Sequence, residues 1–297
     1  MSTYHHVYRQ CALALGGALL ILAAAGPAQG QLGLSLAPMR VELRMAPGQQ
    51  YSGSLRLSSQ SEERVRVRAE ALDFDIDAQA TPQFEPELPQ EAAYSCKKWL
   101  SLNPMEIEID KRSTLAVRYT LQLPSELAEG SYNCAAGFTT LPTAGQTAGM
   151  GMRMAVRVVA SFYVVIGSPP IVGKLKEIKL EPLASEKESG PSGWQAAVVF
   201  ENRGLMFYRP TGKLEVLDAQ GNAVEKAELP SLPVLRQREQ RFLIPLKTHL
   251  EEGRYVLRAQ VDIGTGEIQQ GSLDVSIVPP APQLPGQANP APQPPSP

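Results

Sequence analysis

Between Gly149 and Gly167 every even position from 150 to 166 is apolar: Met150, Met152, Met154, Val156, Val158, Ala160, Phe162, Val164 and Ile166. The odd positions include Gly151, Arg153, Ala155, Arg157 and Ser161 before turning apolar at Tyr163 and Val165. A period of two marks one face of a β-strand, because successive side chains point to opposite sides. At ~3.3 Å per residue the run would span roughly 55 Å, whereas strands are usually about 5–6 residues long. The pattern predicts a strand whose C-terminal half is core and whose Gly- and Met-rich N-terminal half offers apolar side chains to something else. The competing expectation is a last strand that completes its own sheet behind a Gly/Met loop.

The same period recurs along the chain. Leu32, Leu34 and Leu36 alternate up to Pro38, and Met39, Val41 and Leu43 resume on the other parity. A proline between two alternating runs predicts an edge strand that breaks and changes partner. Tyr51–Leu57, Val65–Ala71, Cys96–Leu102, Met105–Ile109 and Leu115–Leu123 are further strand candidates, and 78–95, rich in Pro, Gln and Glu, reads as loop. No stretch of 31–170 carries a helical period. Ser168-Pro169-Pro170 reads as a hinge, after which strands are expected at Lys174–Leu180, Trp194–Phe200, Lys213–Leu217, Gln240–Leu246, Tyr255–Ile263 and Ser272–Val278.

Leu127-x-x-Gly130-x-Tyr132-x-Cys134 has the spacing of the tyrosine corner of immunoglobulin-like sandwiches, and Leu250-x-x-Gly253-x-Tyr255-x-Leu257 repeats it. The predicted class is therefore all-β, with two immunoglobulin-like sandwiches in tandem. The first is expected over 31–168 and the second over 171–278. They lie between a signal peptide at 1–30 and a disordered, Pro-rich tail at 279–297.

The signal assignment rests on Arg9 ahead of the apolar run Cys11–Gly26, with Ala28-Gln29-Gly30 offering small residues for cleavage. That run is shorter than the ~20 residues of a spanning helix, and no later stretch is expected to cross a bilayer once the signal is removed. The expected location is the periplasm. Removal of the signal leaves Cys96 and Cys134, and in an oxidising compartment an even pair is expected to bridge, the alternative being two buried thiols. A bridge would stabilise by about 3–4 kcal/mol in the chain-entropy model.

The chain of 297 residues is 43% hydrophobic and 20% charged with a net charge of −2. This is a globular mixture with no electrostatic case for nucleic acid. Of the histidines, only His249 lies beyond the signal, so no triad, Cys–His pair or histidine metal site assembles. Asp73-Phe74-Asp75-Ile76-Asp77 opens like a calcium loop but has Ala78 where Gly is needed and Phe84 where the bidentate Glu belongs. A solvated strand end is the simpler reading. Arg64, Arg66 and Arg68 form a basic stripe that Glu62, Glu63 and Glu70 would offset. Arg40, in the opening strand, is either an edge charge that discourages aggregation or an anchor for a carboxylate. No enzyme activity, metal or cofactor is expected.

Two sandwiches after an export signal, Pro38-Met39-Arg40-Val41 in the opening strand, and a long alternating strand closing the first sandwich together resemble the periplasmic pilus-assembly chaperones (PapD-like). The resemblance implies that the last strand of the first sandwich is lent to a pilin-like secreted subunit lacking its own final strand, with an outer-membrane usher as a possible further partner. It implies Met150, Met152, Met154, Val156 and Val158 as the donated side chains and Arg40 as a first anchor for the subunit's terminal carboxylate. The family's second anchor, a lysine before an aromatic pair, falls near Ser161 in this chain, and Arg157 is the expected substitute. Affinity would come from main-chain hydrogen bonds and selectivity from alternate side chains, with flexible Met suiting varied grooves. The alternative is a structural or adhesive envelope protein that holds no client.

Overall fold

The computed structural model describes residues 33–88, 93–141, 155–183 and 193–278. The expected signal peptide and tail lie outside these residues. Among the described residues the protein is all-β, its only helical element being a 3₁₀ turn at Lys97–Trp99.

The first sandwich is built from β1 (Leu34–Ala37), β2 (Arg40–Met45), β3 (Gln50–Ser59), β4 (Val65–Ile76), β5 (Pro82–Glu85), β6 (Leu100–Asn103), β7 (Glu106–Ile109), β8 (Thr114–Gln122), β9 (Gly130–Leu141) and β10 (Arg157–Ile166). One sheet runs β1-β3-β8-β6 and the other β2-β10-β9-β4-β5, with β7 also on β4. Their inner faces meet on Leu55, Leu57, Val67, Val117, Leu121, Phe138, Phe162 and Val164, each fully buried. The expected partner change at Pro38 is present: β1 pairs antiparallel with β3, while β2 pairs parallel with β10 in the opposite sheet. Cys96 and Cys134 form a disulfide in this core.

The second sandwich comprises β11 (Gly173–Leu183), β12 (Gly193–Asn202), β13 (Thr211–Leu217), β14 (Ala223–Glu228), β15 (Glu239–Pro245), β16 (Gly253–Asp262) and β17 (Ile268–Ile277). Its sheets run β11-β12-β15 and β14-β13-β16-β17 around Phe200, Phe242, Leu214, Leu257 and Val261. A separate apolar cluster joins the two sandwiches: Leu72, Phe74, Ile76, Tyr163 and Val165 of the first meet Phe207 and Leu235 of the second. Hydrogen bonds from Ser131 N to Leu205 O (2.8 Å) and from Phe207 N to Ser131 Oγ (3.0 Å) fix this contact. Arg236 packs over the Tyr94 ring at 4.0 Å and lies where a side chain at Gly130, which has φ +143°, would stand.

Several expectations change. The expected loop 78–95 contains β5, where Phe84 stacks on Phe74 at 5.0 Å; one aromatic among Pro, Gln and Glu carries no period, so pairing with β4 decides the strand. The expected strand Cys96–Leu102 begins as the 3₁₀ turn, closed by Trp99 N to Cys96 O (3.0 Å), and becomes extended only at Leu100. β14 was not expected, because its sequence AVEKAE lies largely exposed at a sheet edge. The first corner motif is realised through Tyr132 Oη donating to Ala128 O (2.9 Å). Tyr255 instead packs against the second core, and its hydroxyl makes no hydrogen bond to a described residue. Asp77 caps a hairpin turn by accepting from Gln79 N and Thr81 N. The Arg64–Arg68 stripe is offset from β7 and its end by Glu106, Glu108 and Asp110, in place of the acids expected from sequence, of which Glu62 pairs with Arg112 and Glu70 with Arg157.

Candidate functional site

The two flanks of β10 differ. Its N-terminal flank neighbour β9 pairs with it along the whole strand, from Arg157↔Thr139 to Ile166↔Gly130. On the other flank β2 covers only Ser161–Ile166, and this cover begins with Ser161 N donating to Met39 O (3.0 Å). Backbone polar groups alternate sides along a strand, so Val159 and Arg157 turn their N–H and C=O to the same side as Ser161. Among the described residues nothing hydrogen-bonds to those outward groups. Met39, where the cover stops, is 63% exposed. The β9 ladder itself runs on past the strand: Val156 N donates to Thr140 Oγ1 and Thr140 N to Val156 O, both 2.9 Å.

The side chains of β10 divide by parity. Ala160, Phe162, Val164 and Ile166 enter the first core, and half-buried Val158 packs against its rim. Tyr163, Val165 and half-buried Val159 face the cluster between the sandwiches. Of the expected strand-donor residues, Met150, Met152 and Met154 lie outside the described residues. Val156 is half-buried, with Val158 the next residue of its parity.

Register places Arg40 directly opposite Ser161. Arg40, Glu42 and Arg44 share the outer face of β2, since Val41, Leu43 and Met45 point into the core. Arg157, the other expected anchor, is not brought to Arg40. It begins β10, four residues before Ser161, which is roughly 13 Å along a strand. Its guanidinium reaches Thr139 Oγ1 (3.1 Å), Phe84 O (3.2 Å) and Glu70 (3.6 Å) instead.

The cation that does reach this place is Arg209, from the loop between β12 and β13. Its Nε lies 3.2 Å from Glu42 Oε1, the same oxygen that Arg40 Nε approaches at 3.4 Å. The Arg209 guanidinium also stacks over the Tyr163 ring at 4.7 Å, a cation–π contact that fixes its plane. Burial pushes the Tyr163 phenol above its ordinary pKa, while Arg209 and Ser161 beside it oppose the shift. Sequence reasoning missed Arg209, because Phe207-Tyr208-Arg209 falls in an aperiodic loop of the other sandwich. Loops on a rigid scaffold commonly carry function, but only the fold shows which strand this one meets. Among the described residues no group of three or more His, Cys, Asp or Glu side chains could hold a metal ion.

No family model and no curated protein matches the chain. Solved structures that it resembles include the class 5 fimbriae chaperone CfaA, at 10% identity and TM-score 0.42 over 83% of this chain and 100% of that one. The CsuC–CsuE chaperone–tip adhesion subunit complex of Acinetobacter baumannii gives 11% identity and TM-score 0.41, over 82% and 97%. The CupB2 chaperone of Pseudomonas aeruginosa gives 14% and 0.38, over 82% and 100%. At such identities and scores these likenesses decide no function, which has to be read from the chain's own geometry.

Proposed function

We propose that this protein is a periplasmic chaperone that binds pilin-like or other secreted subunits by adding a strand at the open flank of β10. The first sandwich, 31–168, holds the binding strand, the second, 171–278, buttresses it, and both act after export and removal of 1–30. The observation that carries the reading is the row of backbone groups at Arg157 and Val159 that no described residue pairs, upstream of the point where β2 begins to cover the strand. An uncovered strand flank is a template for another chain, and an incoming strand would find its N–H and C=O partners already aligned. Met150, Met152, Met154, Val156 and Val158 supply the alternate side chains for the client, Arg40 receives its terminal carboxylate, and Arg157 tethers the start of the donated strand. An outer-membrane usher would take over the loaded subunit. The cycle needs no nucleotide, because release follows exchange for a better-fitting strand.

Half-buried Val158, packed on its own core rim, favours a second reading, a structural or adhesive envelope protein with no client. Isolation of the full chain from the periplasm, with Met152→Asp and Met154→Asp beside it, separates the two. Strand donation gives a stoichiometric subunit that both substitutions remove, with amide-exchange protection gained at Val159 when the subunit is bound. A monomer that carries no subunit, unchanged by either substitution, supports the envelope role.

A further inference from the structure

Three arginines and one carboxylate share the face of β2 and its surroundings that looks toward the second sandwich. Arg44 is engaged through Nη1 with Gly167 O (3.3 Å). Arg40 and Arg209 converge instead on a single oxygen of Glu42. The Arg40 and Glu42 side chains are 53% and 43% exposed, whereas that of Arg209 is 17% exposed. The pair of cations thus has a partly buried floor, Arg209 on the Tyr163 ring, and an open mouth at Arg40. Opposite Arg40 in the ladder stands Ser161, whose short side chain leaves the mouth unfilled by a long one. Two guanidinium groups aimed at one carboxylate oxygen make a seat whose ligand chemistry is that of a carboxylate. One carboxylate leaves an excess of positive charge on this face.

We propose that Glu42 is an internal surrogate that occupies the carboxylate seat between Arg40 and Arg209 until a peptide's C-terminal carboxylate displaces it. The second cation of the anchor is accordingly Arg209, contributed by the second sandwich, and Arg157 has no part in it. Glu42 acts as a threshold: it keeps the guanidinium groups ordered in the empty protein and lowers affinity for any anion that cannot outcompete it. A peptide's terminal carboxylate can do so, because its two oxygens accept from both guanidinium groups at once. This inference rests on the carboxylate-anchor part of the proposed function and is independent of strand addition.

The test uses the full exported chain and two probes, N-acetyl-Val-Gly-Val with a free C-terminal carboxylate and the same tripeptide as the amide. Arginine Nε–Hε NMR signals report the seat directly. The acid form is expected to shift the signals of Arg40 and Arg209 and leave that of Arg157 unmoved, while the amide shifts none. E42Q is expected to tighten acid binding by about fivefold to tenfold and leave the amide unaffected. Arg209→Gln should abolish the difference between acid and amide; Arg209→Lys, which keeps the charge, should restore part of it. Equal binding of acid and amide, no binding of the acid to E42Q, or weaker binding of the acid to E42Q would each overturn the proposal. Acid-specific shifts without Val159 protection by a subunit strand would uphold the seat and sink strand donation. Val159 protection with no acid preference would do the reverse.

Discussion

The two sandwiches share a layout but close their edges differently. In the second, β17 lies beside β11, and Gln269 stitches the two through Leu175 N (2.6 Å) and Gly173 O (3.4 Å). At its other side Glu225 of β14 accepts from Lys247 N and Thr248 N (2.9 and 2.8 Å) just beyond β15. On the β2 flank of β10 no equivalent stitch stands among the described residues, and where β2 stops no described residue matches the outward backbone groups of Val159 and Arg157. Buried backbone groups in a folded protein are nearly always paired, and a strand flank that no described residue covers is a template for an added strand. Under the proposed function, the contrast puts partner binding in the first sandwich and support in the second.

The largest effect that would sharpen this contrast is expected from Phe162→Ala. Phe162 is fully buried at the centre of β10 and packs edge-on against Tyr119 at 5.0 Å. Truncation should cost about 3–5 kcal/mol, a large part of the stability of a domain of this size. Hydrogen exchange at Leu121 in the first core and Leu257 in the second reads each sandwich separately. Faster exchange at Leu121 with Leu257 largely retained is the expected result. Equal acceleration at both would mean that the Tyr163–Phe207 contact fuses the sandwiches into one cooperative unit, and the contrast in roles would lose its basis in stability.

Acid should separate the sandwiches next. Glu215, on β13, receives Arg258 Nη2 (2.7 Å) and Lys226 Nζ (3.2 Å), with Lys213 nearby. These hydrogen bonds, that of Arg258 foremost, hold its carboxyl at about 2, below the ordinary 4.5. A depressed carboxyl stabilises the fold above its unfolded value, so this contribution is intact above about pH 4.5 and is lost as pH falls toward about 2. Glu201, lowered chiefly by Arg203, and Asp218, lowered chiefly by its turn, add to the same loss in the second sandwich, whereas the first has Asp77, held down by its turn backbone. Exchange at Leu257 should therefore accelerate before that at Leu121 as pH drops through this window, and Glu215→Gln should flatten its dependence. In alkali the difference should narrow, because burial raises Tyr119 to about 12 in the first sandwich and also raises Tyr208 in the second.

Much of this contrast was legible in the sequence. The unbroken apolar even positions at Val158–Ile166 and the parity change at Pro38 pointed to a core strand and a partner switch, because each follows from side-chain direction alone. Cys96 and Cys134 were the expected pair once export was inferred, and they bridge. The proposed anchor was half legible: Arg40 could be read from its strand, but its neighbours depend on register and on how the second sandwich docks. Arg157 shares the parity of Ser161, which is all a sequence shows. In the fold Glu70, Thr139 and Phe84 O claim it, and Arg209 arrives from a loop about 50 residues later in the chain. Likewise β5 and β14 are strands by virtue of their partners, and neither carries a period that would announce it.

The smallest expected effect probes the open flank itself, by comparing proline at two positions of equal parity. At Ser161 the amide donates to Met39 O, so Ser161→Pro removes a ladder bond at the start of the covered segment. At Val159 the outward amide has no partner among the described residues, and proline is tolerated where an edge N–H faces solvent. Ser161→Pro should therefore destabilise more than Val159→Pro, by at least about 1 kcal/mol, the net worth of a typical hydrogen bond. Urea midpoints at constant slope measure the difference. The order should invert for partner binding. Val159→Pro deletes a donor that an added strand would use and should abolish subunit retention in a protein that remains folded. Equal urea midpoints for the two prolines would mean that the amide of Val159 is already engaged in the free protein, and the flank that distinguishes the first sandwich from the second would then be closed.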